Sequence, residues 1–334
     1  MASSNSSCRE RTDVSGGSPS TSAVMFSVGV LGNVIALILL EIQRRKHPRS
    51  LFHVLVTSLV LTDLLGTFSV SPLVLTSYLT NASLLGMNEN RLVCGHFAFA
   101  MTFLSMVTLG ILLLMAVERW LSIGHPFCYE KTVRKGCGYG AVALVYLCGA
   151  LFCAAPFLGF GKFVQYCPGT WCFIDMDPSE SQHRAFNLIY ASCLLSMIVC
   201  TVLCNASVIY HLSLMHRRLK AQRSSVRRLR GHRSISEEEE HLLLLGFMTI
   251  AFVICSLPLV IQIYRNTLNH QERHTNSVIP LLSLSANPII DPWVFIILRS
   301  PVPRLIWEKI CKSTKSNEKK QRVQSFHPVL LRTD

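Results

Sequence analysis

Long apolar stretches without a charged residue recur along the chain. Each exceeds the roughly 20 residues that a helix needs to cross a bilayer at about 1.5 Å per residue. Two further apolar stretches contain one acid each, Asp63 and Asp291. The pattern predicts an all-α membrane protein, a bundle of seven transmembrane helices. The stretches without Asp, Glu, Lys or Arg are 14–40, 92–117, 136–161, 185–216 and 241–264. The predicted helices are near 24–42, 51–78, 92–118, 139–160, 186–212, 242–266 and 278–298.

The composition excludes the soluble classes of protein. Charged residues make up 15% of the 334 residues, against about 25% in soluble domains, and apolar residues make up 50%. The mean hydropathy is +0.39. A soluble enzyme, a disordered chain and a fibrous protein are therefore disfavoured.

The basic residues predict the orientation of the bundle. If the N-terminus is outside, 25 of the 32 Lys and Arg residues lie in cytoplasmic segments, as the positive-inside rule requires. We expect a multi-pass plasma-membrane protein with an extracellular N-terminus (1–23), a bundle (24–298), an amphipathic helix (299–313) and a cytoplasmic tail (314–334). The net charge of +13 then faces anionic inner-leaflet lipid. Because the basic residues are split among four short segments, nucleic acid is not an expected partner.

Four of the thirteen cysteines fall in segments predicted to lie outside. Thiols in an oxidising compartment tend to pair, and four of them allow three connectivities. Two Asn-x-Ser glycosylation sequons, at Asn5 and Asn81, are also on predicted external segments. The four cysteines are Cys8, Cys94, Cys167 and Cys172.

Several short motifs follow one another in an order that identifies a family. Together, on seven predicted spans, they resemble the rhodopsin-like G-protein-coupled receptors. The motifs are Gly32-Asn33 in span one, Asp63 within Leu61-Thr62-Asp63-Leu64-Leu65 in span two, Glu118-Arg119-Trp120 at the end of span three, Cys255-Ser256-Leu257-Pro258 in span six and Asn287-Pro288-Ile289-Ile290-Asp291-Pro292-Trp293 in span seven.

Three longer segments make the resemblance more specific. Residues 161–172, 97–103 and 291–295 are similar to the second extracellular loop, span three and span seven of prostanoid receptors. The closest subgroup contains the prostaglandin D2, relaxant prostaglandin E2 and prostacyclin receptors, and residues 157–163 favour the D2 member. The resemblance implies a receptor rather than an enzyme. Its expected ligand is a prostanoid, and its expected partner is the stimulatory G protein, which raises cyclic AMP.

The resemblance also implies a binding site for the prostanoid carboxylate, from which this chain departs. The family's anchoring Tyr and Thr correspond to Tyr78 and Thr170, and Trp171 is expected to form part of a lid. The family's third anchor, an Arg in span seven, falls at Leu282, which cannot donate a hydrogen bond. Ser283 stands where the subgroup has a large aromatic residue.

Three alternatives follow from the missing Arg. Another cation near the mouth of the bundle substitutes for it, or the ligand is a neutral lipid such as an ester or amide. In the third alternative the chain is an orphan or degenerate relative that signals only basally. The candidate cations are Arg265, Lys162 and Arg184.

Charged and proline residues in the spans are the expected parts of a switch. A carboxylate in mid-membrane costs roughly 2.5–3.5 kcal/mol, so it faces the bundle and usually has a role. We expect Asp63 and Asp291 to form a polar network with Asn287 that differs between signalling states, with a sodium ion as a candidate ligand. Glu118 is expected to hold Arg119 until a partner competes for it. Pro258 and Pro292 are the expected hinges.

Further features concern the loops and the tail. The family implies a Cys94–Cys172 disulfide, which leaves Cys8 to pair with Cys167. Ser236 is the predicted N-cap of span six. Residues 301–313 resemble the family's short amphipathic eighth helix, where Cys311 is a candidate for palmitoylation and an unmodified thiol is the alternative.

The sequence favours a receptor over two other functional classes. A channel or transporter commonly has several intramembrane charges or internal repeats, whereas this chain has two mid-span acids and no repeat. A membrane enzyme is disfavoured because the sequence has no metal-binding or nucleophile motif.

Overall fold

A computed structural model gives the fold of residues 9–14, 16–46, 51–88, 90–132, 135–221, 228–268 and 278–299. The predictions made for Asn5, Cys8 and Cys311, for the amphipathic helix and for the tail lie outside these residues.

The described part of the chain is a helical bundle, as predicted. It contains seven helices that are long and apolar enough to cross a membrane. The seventh is formed by two consecutive helices, α8 and α9. The helices are α1 (Pro19–Lys46), α2 (Leu51–Thr80), α3 (Leu92–Gly124), the short α4 (Pro126–Thr132), α5 (Lys135–Cys153), α6 (Ser181–Ala221), α7 (Arg228–Leu268), α8 (Val278–Ser285) and α9 (Asn287–Arg299).

Several helices extend beyond the predicted boundaries at one end. The third continues past Glu118 to Gly124, and α7 begins at Arg228. Ser236 therefore lies inside α7, and the prediction that it is the N-cap was wrong. By contrast, the fourth span ends early: α5 stops at Cys153 and a 3-10 turn (Ala155–Leu158) follows. Pro156 explains this end, because proline has no N–H to donate to the carbonyl of Phe152 and so does not continue the α-helix.

The seventh span is interrupted at Ala286. Its amide donates to the carbonyl of Ser283 at 3.2 Å, a tightened turn that closes α8. The next helix starts at Asn287, with Pro288 in its first turn, where a missing N–H is tolerated. Pro258 and Pro292 lie within α7 and α9, and neither ends its helix. The break is thus at a position that the sequence analysis did not single out.

The core is built around α3, which packs against α2, α5 and α6. Its central side chains, among them Val107, Ile111 and Met115, are fully buried. The first and last helices meet at Gly32, where an added Cβ would lie 2.8 Å from Nε1 of Trp293. Only a glycine allows α1 and α9 to approach this closely.

Two short strands cover one end of the bundle. Strands β1 (Phe163–Tyr166) and β2 (Trp171–Ile174) form an antiparallel hairpin in which Gln165 pairs with Cys172. The second strand packs against α3 and is buried along its whole length. This hairpin forms the roof of the interior described below.

Candidate functional site

One end of the bundle, called here the disulfide end, is fixed by a covalent link. Cys94 in the first turn of α3 bonds Cys172 in β2, with their Cα atoms 5.4 Å apart. The predicted pairing is confirmed. Cys167 is also disulfide-bonded, and its expected partner Cys8 lies outside the described residues. The link holds the hairpin over the interior of the bundle.

The N-terminal segment, residues 9–14 and 16–17, lies across this roof. Its Arg9 makes a two-bond ion pair with Asp175, at 2.7 and 3.2 Å, and the Asp175 side chain is only 7% exposed. Burial by itself would lower the pKa of Arg9, but Asp175, Tyr166 and Asp177 together outweigh the effect of burial, and the net change of the pKa is upward. The carbonyl of Arg11 accepts from Ser83 Oγ at 2.7 Å and from Gln165 Nε2 at 3.0 Å. The segment therefore connects strand β1, the residue that follows β2, and the loop between α2 and α3.

Tyr166 stabilises the hairpin on the same end. Its hydroxyl donates to the carbonyl of Ile174 at 2.8 Å and accepts from the amide of Met176 at 2.9 Å. Burial raises the pKa of this phenol. Tyr166 thus remains neutral and able to donate at physiological pH.

An interior cavity lies beneath Trp171 and between five spans. Its volume is about 100 Å³, less than the roughly 300–1,000 Å³ of typical ligand pockets. A twenty-carbon lipid would therefore have to move the walls apart. The lining contains no Lys or Arg, and Asp63 is its one ionisable group. The lining residues are Ser22, Met25, Thr62, Asp63, Gly66, Thr67, Val70, Ser71, Val74, Met101, Leu104, Ser105, Thr108, Trp171, Phe252, Leu284, Ser285, Asn287, Pro288 and Ile289.

The predicted anchor residues are not all at this cavity. Trp171 lines it, with its ring edge-on to Phe97 at 5.9 Å. Thr170 is fully buried, and its hydroxyl has no hydrogen-bond partner within the described residues. Tyr78 does not line the cavity; it is half-buried beside Gly17, where an added Cβ would lie 2.7 Å from its hydroxyl.

The altered positions of the seventh span also lie away from the cavity. Leu282 is 39% exposed on the surface of the bundle, and neither it nor Ser283 is a lining residue. The residues of α8 that line the cavity are Leu284 and Ser285. Of the candidate cations, Arg265 and Lys162 are exposed and Arg184 is half-buried, and none of them lines the cavity.

Polar residues at the floor of the cavity form a cluster rich in acceptors. Asp63 and Asp291 are both buried, and Thr108 donates to Asp63 Oδ1 at 3.5 Å. Asn33 Nδ2 donates to the carbonyls of Gly29 and Pro288, each at 2.9 Å. Within the described residues, five buried oxygens of the cluster lack a donor. They are Asn33 Oδ1, Asp63 Oδ2, Asn287 Oδ1 and both carboxylate oxygens of Asp291.

Two contacts around this cluster were not predicted. Asn287 Nδ2 donates to Ser256 Oγ at 3.3 Å and so links α9 to α7 two residues before Pro258. Ser105 shares a 2.7 Å hydrogen bond with Tyr190, linking α3 to α6. The first contact joins residues of two motifs that the sequence did not pair, and the second joins two ordinary polar residues in apolar spans.

The opposite end, called here the arginine end, holds the predicted Glu118–Arg119 pair. Arg119 donates to both carboxylate oxygens of Glu118, at 2.5 and 2.9 Å, and both residues are 5% exposed. Two further residues complete this latch. Tyr129 in α4 donates to Glu118 Oε1 at 2.8 Å, and the Phe52 ring lies 4.6 Å from the Arg119 guanidinium carbon.

Comparison with known proteins agrees with this arrangement. Residues 32–295 match the family model described as 7 transmembrane receptor (rhodopsin family). The fold resembles that of squid rhodopsin, with a TM-score of 0.70 over 92% of this chain and 90% of that one, at 15% identity. The chain is 46% identical to the Homo sapiens prostaglandin E2 receptor EP2 subtype, over 89% of this chain and 87% of the relative. The chain belongs to the prostanoid receptors.

Identity to other prostanoid receptors is slightly lower. It is 41% to the Mus musculus prostaglandin D2 receptor, over 91% of this chain and 92% of the relative. The identity to the Mus musculus prostacyclin receptor is also 41%, over 85% of this chain and 68% of the relative. The short segment 157–163 that favoured the D2 member thus covers a part of the chain too small to decide among three similar subtypes.

Proposed function

We propose that this prostanoid receptor acts at the plasma membrane, binds a prostanoid-type lipid under the hairpin and signals through the stimulatory G protein to raise cyclic AMP. The observation that carries the proposal is the two-ended geometry. A roofed cavity with a polar cluster at its floor lies at the disulfide end, and a buried arginine latch lies at the arginine end. Receptors that are 41–46% identical to the chain are named for prostaglandin E2, prostacyclin and prostaglandin D2.

Two observations support an outward-facing disulfide end. Disulfides such as Cys94–Cys172 form in oxidising compartments. With this orientation, 25 of the 32 Lys and Arg residues lie on the cytoplasmic side. The same orientation places the Glu118–Arg119 pair at the cytoplasmic surface, where a G protein binds.

The lining of the cavity favours a second candidate ligand. A prostanoid has one carboxylate, and burial of an anion without a charge partner is costly. The lining residues include no cation and one acid, Asp63. A neutral lipid, such as the ester or amide of a prostanoid, avoids this cost and is the alternative to the free acid.

The test is a cyclic AMP dose–response series in cells that express the full chain, with surface expression measured separately. The probes are prostaglandin D2, prostaglandin E2 and a stable prostacyclin analogue, each as the free acid and as the methyl ester. The proposal predicts a response to at least one acid. A response to esters at lower concentrations than acids favours the neutral ligand. Surface expression without any response contradicts ligand-dependent signalling by prostanoids.

Two variants of α8 form a matched pair for locating the acid. Ser285→Arg places a cation at the lining of the cavity, whereas Leu282→Arg restores the family's Arg at an exposed position. A new charge-assisted contact should improve the potency of the acid about ten- to a hundredfold and leave that of the ester unchanged. A gain at position 285 alone places the carboxylate in the cavity described above. A gain at 282 alone means that α8 turns this face inward when ligand binds.

We also propose that the acceptor cluster holds a sodium ion in the resting receptor. Five buried oxygens without donors, three of them on the carboxylates of Asp63 and Asp291, match the oxygen ligands that hard cations prefer. Replacing sodium by a large organic cation should then raise basal signalling. Asp63→Asn should abolish this sodium dependence, and a persistent dependence would contradict the assignment.

A further inference from the structure

A second cavity, called here the outer groove, lies on the other side of the hairpin from the interior. Its volume is about 500 Å³, within the range of small-molecule sites. It is bounded by the N-terminal segment, the start of α3, the 3-10 turn and strand β1. The lining residues are Arg9, Glu10, Leu85, Asn90, Arg91, Leu92, Cys94, Gly95, Pro156, Phe157, Gly161, Lys162, Phe163, Val164 and Gln165.

The outer groove carries net positive charge. The lining residues that the structure describes include three cations, Arg9, Arg91 and Lys162, and one acid, Glu10. The charge of Arg9 is balanced by Asp175, and Arg91 and Lys162 are exposed. Arg91 also precedes α3 in a left-handed conformation, and its side chain makes no capping hydrogen bond to the helix. The positive end of a 33-residue helix therefore adds to the field of the two cations.

One wall of the outer groove is apolar. Phe157 and Phe163 pack edge-to-face with ring centroids 5.4 Å apart. Gly95 leaves room for this pair, since a Cβ there would lie 3.2 Å from the Phe157 ring. Leu92 lines the groove and is exposed, and Leu158, which follows Phe157 in the 3-10 turn, is 87% exposed. Both leucines are at ends of membrane-spanning stretches, so the groove opens at the level of the membrane surface.

We propose that the outer groove is a binding site for a long-chain fatty acid of the outer leaflet. Arg91 and Lys162 take the carboxylate, and the chain lies along Leu92, Phe157 and Phe163. Among the described lining residues, Arg91, Lys162 and Glu10 leave one net positive charge, which matches a singly charged carboxylate better than a doubly charged phosphate. The site is separate from the interior cavity, and it uses the proposed orientation but requires neither prostanoid binding nor G-protein coupling.

The test uses photolabelling of the full-length receptor in phosphatidylcholine nanodiscs. The probe is an 18-carbon fatty acid with a diazirine in its chain, compared with its methyl ester, and labelled peptides are identified by mass spectrometry. We expect the acid to label the peptide that contains Phe157 and Phe163 at least about tenfold more than the ester. The double variant Arg91→Gln, Lys162→Gln should reduce labelling by a similar factor. Arg44→Gln, a change at the other end of the bundle, should not affect it.

The variant Glu10→Gln is an independent test, in which binding of the fatty acid should increase. Removing the carboxylate of Glu10, the one acid among the described lining residues, should increase labelling by the fatty acid and leave labelling by the ester unchanged. This arm decides the test if the double variant is thermally unstable. Equal labelling by acid and ester, or no gain with Glu10→Gln, would overturn the proposal. The probe is also displaced with oleate and with a lysophospholipid that carries a phosphate. If the phosphate compound displaces the probe at lower concentrations than oleate does, the assignment to a carboxylate is overturned.

Discussion

The Tyr129 hydroxyl provides a direct test of the latch at the arginine end. It donates to Glu118 Oε1 at 2.8 Å, the oxygen that also accepts from Arg119 at 2.9 Å. Tyr129→Phe removes this one donor and keeps the ring. If the latch holds the resting state, its loss should shift the population of receptors toward the state in which Arg119 is available to a partner.

The structure sets the size of this shift. A hydrogen bond to a charged group contributes about 1.5–3 kcal/mol. Tyr129 is half-buried while Glu118 is buried, so water can replace part of the lost bond and about 1 kcal/mol is a reasonable value. Since 1.4 kcal/mol corresponds to a factor of ten, basal signalling should rise about fivefold until the active state saturates.

The assay is basal cyclic AMP per surface receptor, together with basal nucleotide exchange on purified G protein. Tyr139→Phe is the matched control, because Tyr139 is exposed near the start of α5 and loss of its hydroxyl should change little. Unchanged basal activity in Tyr129→Phe, at normal surface expression, would show that the Glu118–Arg119 pair does not need the Tyr129 hydroxyl. Equal increases in both variants would indicate nonspecific destabilisation.

Two predictions concern stability. Gly32→Ala should lower the melting temperature of the purified receptor, since the added methyl meets Trp293 and overpacking costs about 1–3 kcal/mol; Gly140→Ala, with nothing within 4 Å, should be neutral or stabilising. Cys94→Ala should lower it further, because loss of a native disulfide costs about 2–5 kcal/mol. It should also weaken ligand potency, measured as cyclic AMP, because Cys172 no longer fixes the hairpin. An unchanged melting temperature in either variant would contradict the packing described here.

The bundle itself follows from the sequence for a simple physical reason. Charges are excluded from the membrane interior, so stretches without them mark the spans almost independently of tertiary contacts. The same reasoning fails at helix ends that leave the membrane. Charged residues from Arg217 to Lys220 and from Glu237 to Glu240 are compatible with helix in water, and α6 and α7 include them.

The contacts of the roof at the disulfide end were harder to predict from the sequence than the spans. Its disulfide between Cys94 and Cys172 was expected only from the family resemblance. The contacts of Arg9 with Asp175 and of Arg11 with Gln165 join residues more than 150 positions apart. Each residue type is common on protein surfaces, so no local pattern distinguishes the pairs. Only the folded hairpin brings them together.

The seventh span shows that a position counted along the sequence does not by itself give a contact with the cavity. Placing the family's Arg at Leu282 rests on a spacing of nine residues from Asp291. At about 100° per residue, nine residues turn Leu282 about 180° away from the buried Asp291. Leu282 is accordingly exposed, while Leu284 and Ser285 line the cavity. A carboxylate in this cavity can therefore be anchored from α8 only by a residue on the face of Leu284 and Ser285.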